Sequence, residues 1–408
     1  MAARRTLVPV LGALALSAGL AGPAAAEDTL VLTPLATLAM GSFDEGATEV
    51  IAWDPTSRIL AGNNGETDAI DLVSLADPAA PTLVASIAVD GSPTAVAAHD
   101  GLFAATVARD PGTPGSVVIM DATGAVLAEV TVGSHPDHLT FTADGQRIVT
   151  ADEGEPAEHY SLDDPGSISI IDLSAGPEAA TVTTLGFADF AEGGARADEL
   201  PAGVLVYGPE AGVAEDLEPE VVEVSPDGRT AWVTLQENNA VAVVDHAAPR
   251  IAAILDLGLK DLSLPGNGID AGDEDGGIDI RPRPAFALFR PDHIVATEID
   301  GRLLLVTTNE GDTRDFDGGY SEEADVADLV LDPAAFPDAA LLQAPGELGN
   351  LEATTALGDT DGDGDTDIIV VPGARSFALW DAATGALVHE SGDLLERTVA
   401  EREPDHFN

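Results

Sequence analysis

The chain is 408 residues long, with 72 acidic against 17 basic residues, a formal net charge of −55, 45% hydrophobic and 4% aromatic residues, and no cysteine. That charge repels phosphate backbones and anionic lipid, which excludes nucleic acid and the membrane surface as partners. The missing cysteines exclude disulfides, thiolate zinc sites, iron–sulfur clusters and a cysteine nucleophile. The apolar share is too large for a disordered chain and supports a sizeable core. Excess acid serves solubility in salt and the binding of hard cations through carboxylate oxygens.

At the N-terminus, Arg4 and Arg5, an apolar run over residues 7–20 and Ala24-Ala25-Ala26 before Glu27 read as an export signal over residues 1–26. The run is short for a spanning helix, and Pro9 and Pro23 interrupt it. The arginine pair is only a faint twin-arginine signature, so general secretion is favoured. No second apolar segment of spanning length follows. The mature chain, 27–408, is expected to be one domain, secreted or periplasmic, with no membrane span after cleavage.

From residue 49 onward one unit recurs: an apolar strand, a turn, a second strand, a polar loop, then a third strand ending in Asp. The clearest copies are PDHLTFTADGQRIVTADEGE (136–155), EPEVVEVSPDGRTAWVTLQENN (218–239) and PDHIVATEIDGRLLLVTTNEGD (291–312), with weaker ones at 49–64 and 94–110. Asp144-Gly145, Asp227-Gly228 and Asp300-Gly301 separate the paired strands, as dipeptides that accept the positive backbone angles of a tight hairpin. Third strands are expected to end at Asp71, Asp121, Asp172, Asp245 and Asp381, spaced by 50, 51, 73 and 136 residues, the last gap holding another blade plus insertions. Self-similar units of this length predict an all-β fold, a β-propeller of YVTN/WD40-like blades, about six to seven of them. Packing blades around an axis covers faces that no blade can bury alone. A β-sandwich or two small barrels would not need self-similar strands.

Further segments carry a family resemblance: GSFDEGATEVIAWDP (41–55), DEGEPAEHY (152–160), 208–240, KDLSLPGNGIDAGDEDGGIDI (260–280), NEGDTRDFDGGYSEEADVADL (309–329) and GDTDGDGDTD with PGARSFALWD (358–381). In order and over nearly the whole mature chain, they resemble the choice-of-anchor I family, which also covers proteins similar to the mesenchyme-specific cell-surface glycoprotein. The resemblance implies a secreted or surface-displayed propeller; some members are labelled alkaline phosphatases. Family chains usually run on past the equivalent of Pro404-Asp405-His406-Phe407-Asn408 with at least one more blade, so the resemblance implies either a chain truncated relative to the family, with an incomplete ring, or a ring closed differently.

The strongest chemical signal is DTDGDGDTD, where Asp359, Asp361, Asp363, Asp365 and Asp367 alternate with Thr and Gly. Closely spaced carboxylates with glycine between them let a short loop wrap one ion, and five like charges in nine residues repel strongly without one. The twelfth position from Asp359 is Val370 instead of a bidentate Glu, and IIVV reads as a strand, so this is an EF-hand-like calcium turn between strands. Calcium fits better than magnesium; the competing view is a solvated acidic hairpin. Two weaker loops hold Asp270, Asp273, Asp275 and Asp279, and Asp312, Asp315 and Asp317.

Repeat phase adds a sharper expectation. Asp137, Glu220 and Asp292 fall at the start of the innermost strand, and Glu153, Glu237 and Glu310 just after the second strand. Around one axis each set would line the channel as a cation site, unless each acid caps its own blade's amides. His135, Asp137 and His138 look like a metal trio, with His293 repeating His138, but are read as rim residues. The scarce cations Lys260, Arg314 and Arg375 lie in the family-like loops. They either pair with carboxylates or sit beside calcium and hold an anionic group, the arrangement a metal-dependent phosphatase would use. No Gly-x-Ser-x-Gly elbow, Walker loop or dinucleotide fingerprint is present.

Two functions follow. One is a calcium-binding exported propeller that binds a protein, a glycan or a phosphorylated small molecule, or scaffolds a surface layer. The other is a calcium-dependent phosphatase or phosphodiesterase with Lys260, Arg314 and Arg375 as catalytic candidates.

Overall fold

The structure, a computed structural model, describes residues 33–41, 48–209, 212–246, 248–272, 276–316 and 319–407. The signal reading at residues 1–26 lies outside the described residues.

The repeat unit is a four-stranded antiparallel sheet. β1 (Ile51–Asp54), β2 (Ile59–Asn64), β3 (Ala69–Ser74) and β4 (Thr82–Ala88) form the first sheet, and β5 (Ser92–His99), β6 (Leu102–Ala108), β7 (Ser116–Asp121) and β8 (Val126–Thr131) the second. The third has β9 (Pro136–Phe141), β10 (Arg147–Asp152), β11 (Ser167–Asp172) and β12 (Thr181–Gly186). The fourth has β13 (Pro219–Val224), β14 (Thr230–Leu235), β15 (Ala240–Asp245) and β16 (Arg250–Asp256). After β17 (Leu259–Asp261) and β18 (Phe286–Leu288), the fifth sheet opens with β19 (Pro291–Ile299) and β20 (Arg302–Asn309). The chain then leaves it through β21 (Glu323–Asp325), β22 (Glu352–Thr354) and β23 (Val370–Val371), and returns to complete it with β24 (Ser376–Asp381) and β25 (Leu387–Glu390).

The first strands touch in succession, β1 on β5, β5 on β9, β9 on β13 and β13 on β19, so successive sheets radiate from a common inner line as propeller blades do. Burial explains the strand sequences. The middle strands SVVIMD, SISIID and AVAVVD are buried along almost their whole length, because both faces meet neighbouring blades, and read as continuous apolar runs. The outer strands β4, β8 and β12 alternate between partly covered and exposed. The core is therefore a series of seams. Ile70 and Leu72 meet Phe103 and Val118; Val117 and Ile119 meet Ile148 and Ile171; Ile168 and Ile170 meet Val233 and Ala242; Trp232 and Val241 meet Leu305 and Trp380.

The turn chemistry is as the sequence suggested. Asp300 (φ 52°) and Gly301 (φ 74°) make a two-residue hairpin, and Gly145 and Gly228, both at φ 65°, close the longer turns. The described residues hold five four-stranded sheets, and the 136-residue gap before Asp381 holds the fifth blade's own first hairpin, the three-stranded sheet β17–β18–β23 and the hairpin β21–β22. One expectation is corrected. Asp71 does not end its strand. It sits inside β3, accepting a 2.8 Å hydrogen bond from Asn64 Nδ2, and the strand runs on to Ser74.

Buried amides bolt the blades together. Asn63 Oδ1 accepts from Val50 N (2.8 Å), while its Nδ2 donates to the Pro93 and Thr94 carbonyls of the next blade. Asn239, at φ 53°, accepts from Phe289 N (2.8 Å) and Arg290 N (3.0 Å) and donates to Gly258 O (2.8 Å). Replacing Asn239 with alanine is expected to cost about 2–3 kcal/mol, because two buried amides and a carbonyl lose their partner and alanine resists positive φ. Urea unfolding measures it; a loss below about 0.5 kcal/mol would refute the bolt.

Candidate metal centres

The axial end of the third, fourth and fifth blades gathers acid. Asp137 leads β9, Glu220 leads β13 and Asp292 leads β19, so equal repeat phase brings the three to one place. Burial above all, then the Asp292 and Glu155 carboxylates, pushes Asp137 up to about 6 against the pull of His135. Glu220 is raised well above the ordinary range by burial and by Asp137, Glu237, Asp292 and Asp312. Glu153 is raised likewise, by burial and then by Glu220, Asp137, Glu155 and Glu218. The strands that carry these acids, β9, β13 and β19, touch in succession. His138 and His293 face each other at the same level, ring centroids 6.4 Å apart.

Beside the ring lies a cavity of about 310 Å³, walled by Glu153, Glu155, Glu218, Glu237, Asp312 and Arg314 among others. Glu153 and Glu155 flank Gly154, which sits at φ 78° with Asp164 O only 2.6 Å from where a β-carbon would stand, so only glycine fits this turn. His135 Nδ1 is 2.8 Å from Glu155 Oε2 and 3.3 Å from Glu153 Oε2. Glu310 does not join Glu153 and Glu237: it is exposed, and its charge acts on His293.

In the second centre, between β22 and β23, Asp359, Asp361 and Asp367 each bring a carboxylate oxygen within 4.8 Å of the others. The loop is organised around Asp359, whose Oδ1 accepts from Gly362 N (2.7 Å) and whose Oδ2 accepts from Gly364 N (3.0 Å). Thr360 ties to Asp367 through its amide (2.7 Å) and hydroxyl (2.6 Å). Asp363 and Asp365 stand apart from this trio, though desolvation and Asp363 push Asp365 up to about 6. Of the weaker loops, Asp273, Asp275 and Asp317 lie outside the described residues. Asp312 and Asp315 line the axial cavity, and Asp279 is engaged by Arg281 Nε at 2.6 Å.

The three scarce cations do not share a site. Lys260 is buried, forms an ion pair with Glu390 (3.0 Å) and donates to the carbonyls of Ala374 and Gly392 (3.0 and 2.9 Å). Arg314 is buried against Asp216 (2.9 Å) and Glu218 (2.7 Å), with its guanidinium carbon 4.5 Å from the Tyr207 ring centroid. Burial opposes its charge, but Glu218, Tyr207 and Asp216 hold it well above the usual arginine range. Arg375, at φ 47°, bonds Glu396 (3.0 Å) and Asp270 O (3.2 Å) at the edge of a separate groove. Of the two alternatives the sequence left open, pairing with protein groups is the one these contacts match: each cation has its own partners.

Sequence reasoning missed Glu155, Glu218 and Asp216, and the buried pair Arg290–Glu322 (2.8 Å), which Tyr207 O–H joins by donating to Glu322 at 2.7 Å. Glu155 was the findable one, two residues beyond Glu153 across a glycine. Glu218 and Arg290 stand before Pro219 and Pro291 as His135 stands before Pro136, so they share one repeat position, while Asp216 and Glu322 lie outside the repeats.

Radial four-stranded sheets packed along a common inner line define a β-propeller. The chain matches the choice-of-anchor I domain over residues 49–408 and belongs to that family. Among curated proteins none matches it. Similar solved structures include a propeller domain of Myceliophthora thermophila Cps50 (Swd1), with 11% identity, TM-score 0.36, 84% of this chain and 72% of that one covered. Another is a nidogen/laminin complex, with 16% identity, TM-score 0.33, and 53% and 66% coverage. A third is a putative 6-phosphogluconolactonase from Bacteroides uniformis, with 11% identity, TM-score 0.32, and 48% and 50% coverage. The chain thus spans from half to just under two thirds of the length of the last two. No helix among the described residues is long and apolar enough to cross a membrane.

Proposed function

We propose that the chain is an exported, calcium-binding propeller that works by binding, as a surface or periplasmic scaffold, and not by turnover. The observation that carries this reading is the 359–367 loop, where Asp359, Asp361 and Asp367 converge in a turn already ordered by backbone amides. Hard oxygen ligands at variable spacing suit calcium's large, flexible shell. The axial carboxylates Asp137, Glu220 and Asp292 supply a second cation-attracting face. Export rests on the sequence of residues 1–26 and on the family. A protein, a glycan or a phosphorylated small molecule is the partner. With 4% aromatic residues, stacking platforms for a sugar are scarce, which favours a protein. The alternative, a calcium-dependent phosphoric ester hydrolase, lacks a supporting geometry, since Lys260, Arg314 and Arg375 are separately engaged.

Calcium titration by calorimetry and melting tests the reading. Calcium at one hundred times its dissociation constant is expected to stabilise the chain by about 2.7 kcal/mol. Asp361→Asn, at an exposed position, is expected to weaken binding about tenfold while leaving the chelated melt unchanged. A melting temperature indifferent to calcium and chelator would remove calcium from the proposal.

A further inference from the structure

Glu153 and Glu155 of the axial cavity wall belong to a group that calcium does not explain. His135 Nδ1, a Glu153 oxygen and a Glu155 oxygen all lie within 4.8 Å of one another. Two ligands at about 2.1 Å from one tetrahedral ion stand about 3.4 Å apart. The 3.3 Å separation of Nδ1 from Glu153 already has that span, and the 2.8 Å contact to Glu155 needs only a small opening. His135 is fixed to face the carboxylates by a left-handed backbone, at φ 43°.

A second, independent observation comes from Glu237. It is 7% exposed, its Oε2 has no hydrogen-bond partner, and it shares the cavity wall with Glu153 and Glu155. A buried carboxylate oxygen without a donor carries its full desolvation cost, so such an atom calls for a cation. Arg314, which lines the same cavity, acts on Glu237 through its charge, but its donors go to Asp216 and Glu218 and leave that oxygen without a hydrogen bond.

We propose that His135 Nδ1, Glu153 and Glu155, at the edge of this cavity, form a histidine-containing site for a zinc-class divalent ion, with Glu237 on the cavity wall as a further buried carboxylate. An imidazole nitrogen separates this ion from calcium, which takes oxygen ligands. Neutral imidazole beside carboxylates suits zinc and cobalt(II). The site uses none of the residues of the 359–367 loop and stands or falls separately from the calcium reading.

The test titrates the full chain, stripped with chelator and then saturated with calcium, with zinc by calorimetry and with cobalt(II) by its visible absorption. One saturable site is expected. His135→Asn keeps a residue that tolerates the left-handed backbone, and Glu155→Gln alters a half-exposed side chain; each is expected to weaken zinc at least about tenfold and to remove the cobalt band. Asp361→Asn is expected to leave zinc binding unchanged. No saturable uptake, or uptake unaltered in both His135→Asn and Glu155→Gln, or uptake lost in Asp361→Asn, would overturn the site.

Discussion

Replacing Arg314 with methionine is expected to destabilise the fold by about 3–5 kcal/mol, the loss typical when one partner of a buried ion pair is removed. The guanidinium donates to Asp216 Oδ1 at 2.9 Å, to Glu218 Oε2 at 2.7 Å and to Asp216 O at 2.8 Å. Asp216 and Glu218 are themselves 1% and 4% exposed, so without the cation two carboxylates stay buried with no countercharge. The loss should propagate, because the Arg314 amide donates to Glu322 Oε1 at 2.9 Å, and Glu322 pairs with Arg290, clamping the insertion after β20 to the entry of β13. Arg314→Lys keeps the charge but not the fork that reaches both acids, and should lose less. Adding Asp216→Asn and Glu218→Gln to Arg314→Met should recover part of the loss, since the uncompensated charges vanish with the cation. Urea denaturation reads all of these. If Arg314→Met cost under about 1 kcal/mol, the guanidinium would be free of its carboxylates, and an anion-binding role would return.

The blades were legible in the sequence because repeat phase is a local signal with a global meaning. Asp137, Glu220 and Asp292 could be grouped because each stands second in a P-[DE] strand start, and identical strand positions in radial sheets meet at one axis. Asp-Gly turns were legible because few residues accept their backbone angles. The fate of the cations was not legible. Lys260 meets Glu390 from 130 residues away, and Arg314 meets Asp216 from 98 residues away, through insertions that obey no repeat. The insertions were not legible for a related reason: the chain leaves the fifth sheet after β20 and returns to it only at β24. Asp71 misled because the motif AIDL resembles a strand end, while the ladder from Ile59–Ser74 to Asn64–Ala69 runs three residues further.

The axial acids also set a pH dependence whose sign runs against ordinary acid denaturation. Unfolded, their carboxyls titrate near about 4. Folded, Asp137 is pushed up to about 6, and Glu153, Glu220 and Glu237 are raised, by burial first. Above pH 4 the folded chain therefore holds more protons than the unfolded one, and stability falls as pH rises through the folded values. Asp137 alone accounts for at most about 3 kcal/mol, reduced by solvent screening. His135 acts in the same direction, because Glu155 and Asp137 outweigh burial and raise it. His138, lowered to about 4 by burial and by His293, and His246, lowered by burial and Arg147, act in the opposite direction, but only below their unfolded value near about 6.5. Below pH 4 the hydrogen-bonded acids Asp121, Asp144, Asp172 and Asp227, all lowered, reverse the slope again. From pH 6.5 to 8 the axial acids and His135 are unopposed by those histidines, so the chelated protein is expected to melt several degrees lower at pH 8 than at pH 6.5. A divalent ion replaces the protons that these carboxylates release, so the stabilisation it confers should grow over the same interval. Asp137→Asn combined with Glu220→Gln should raise the chelated melt at pH 8 and flatten the slope. A chelated wild-type melt that rises between pH 6.5 and 8 would mean that the axial carboxylates are not gathered in one desolvated place.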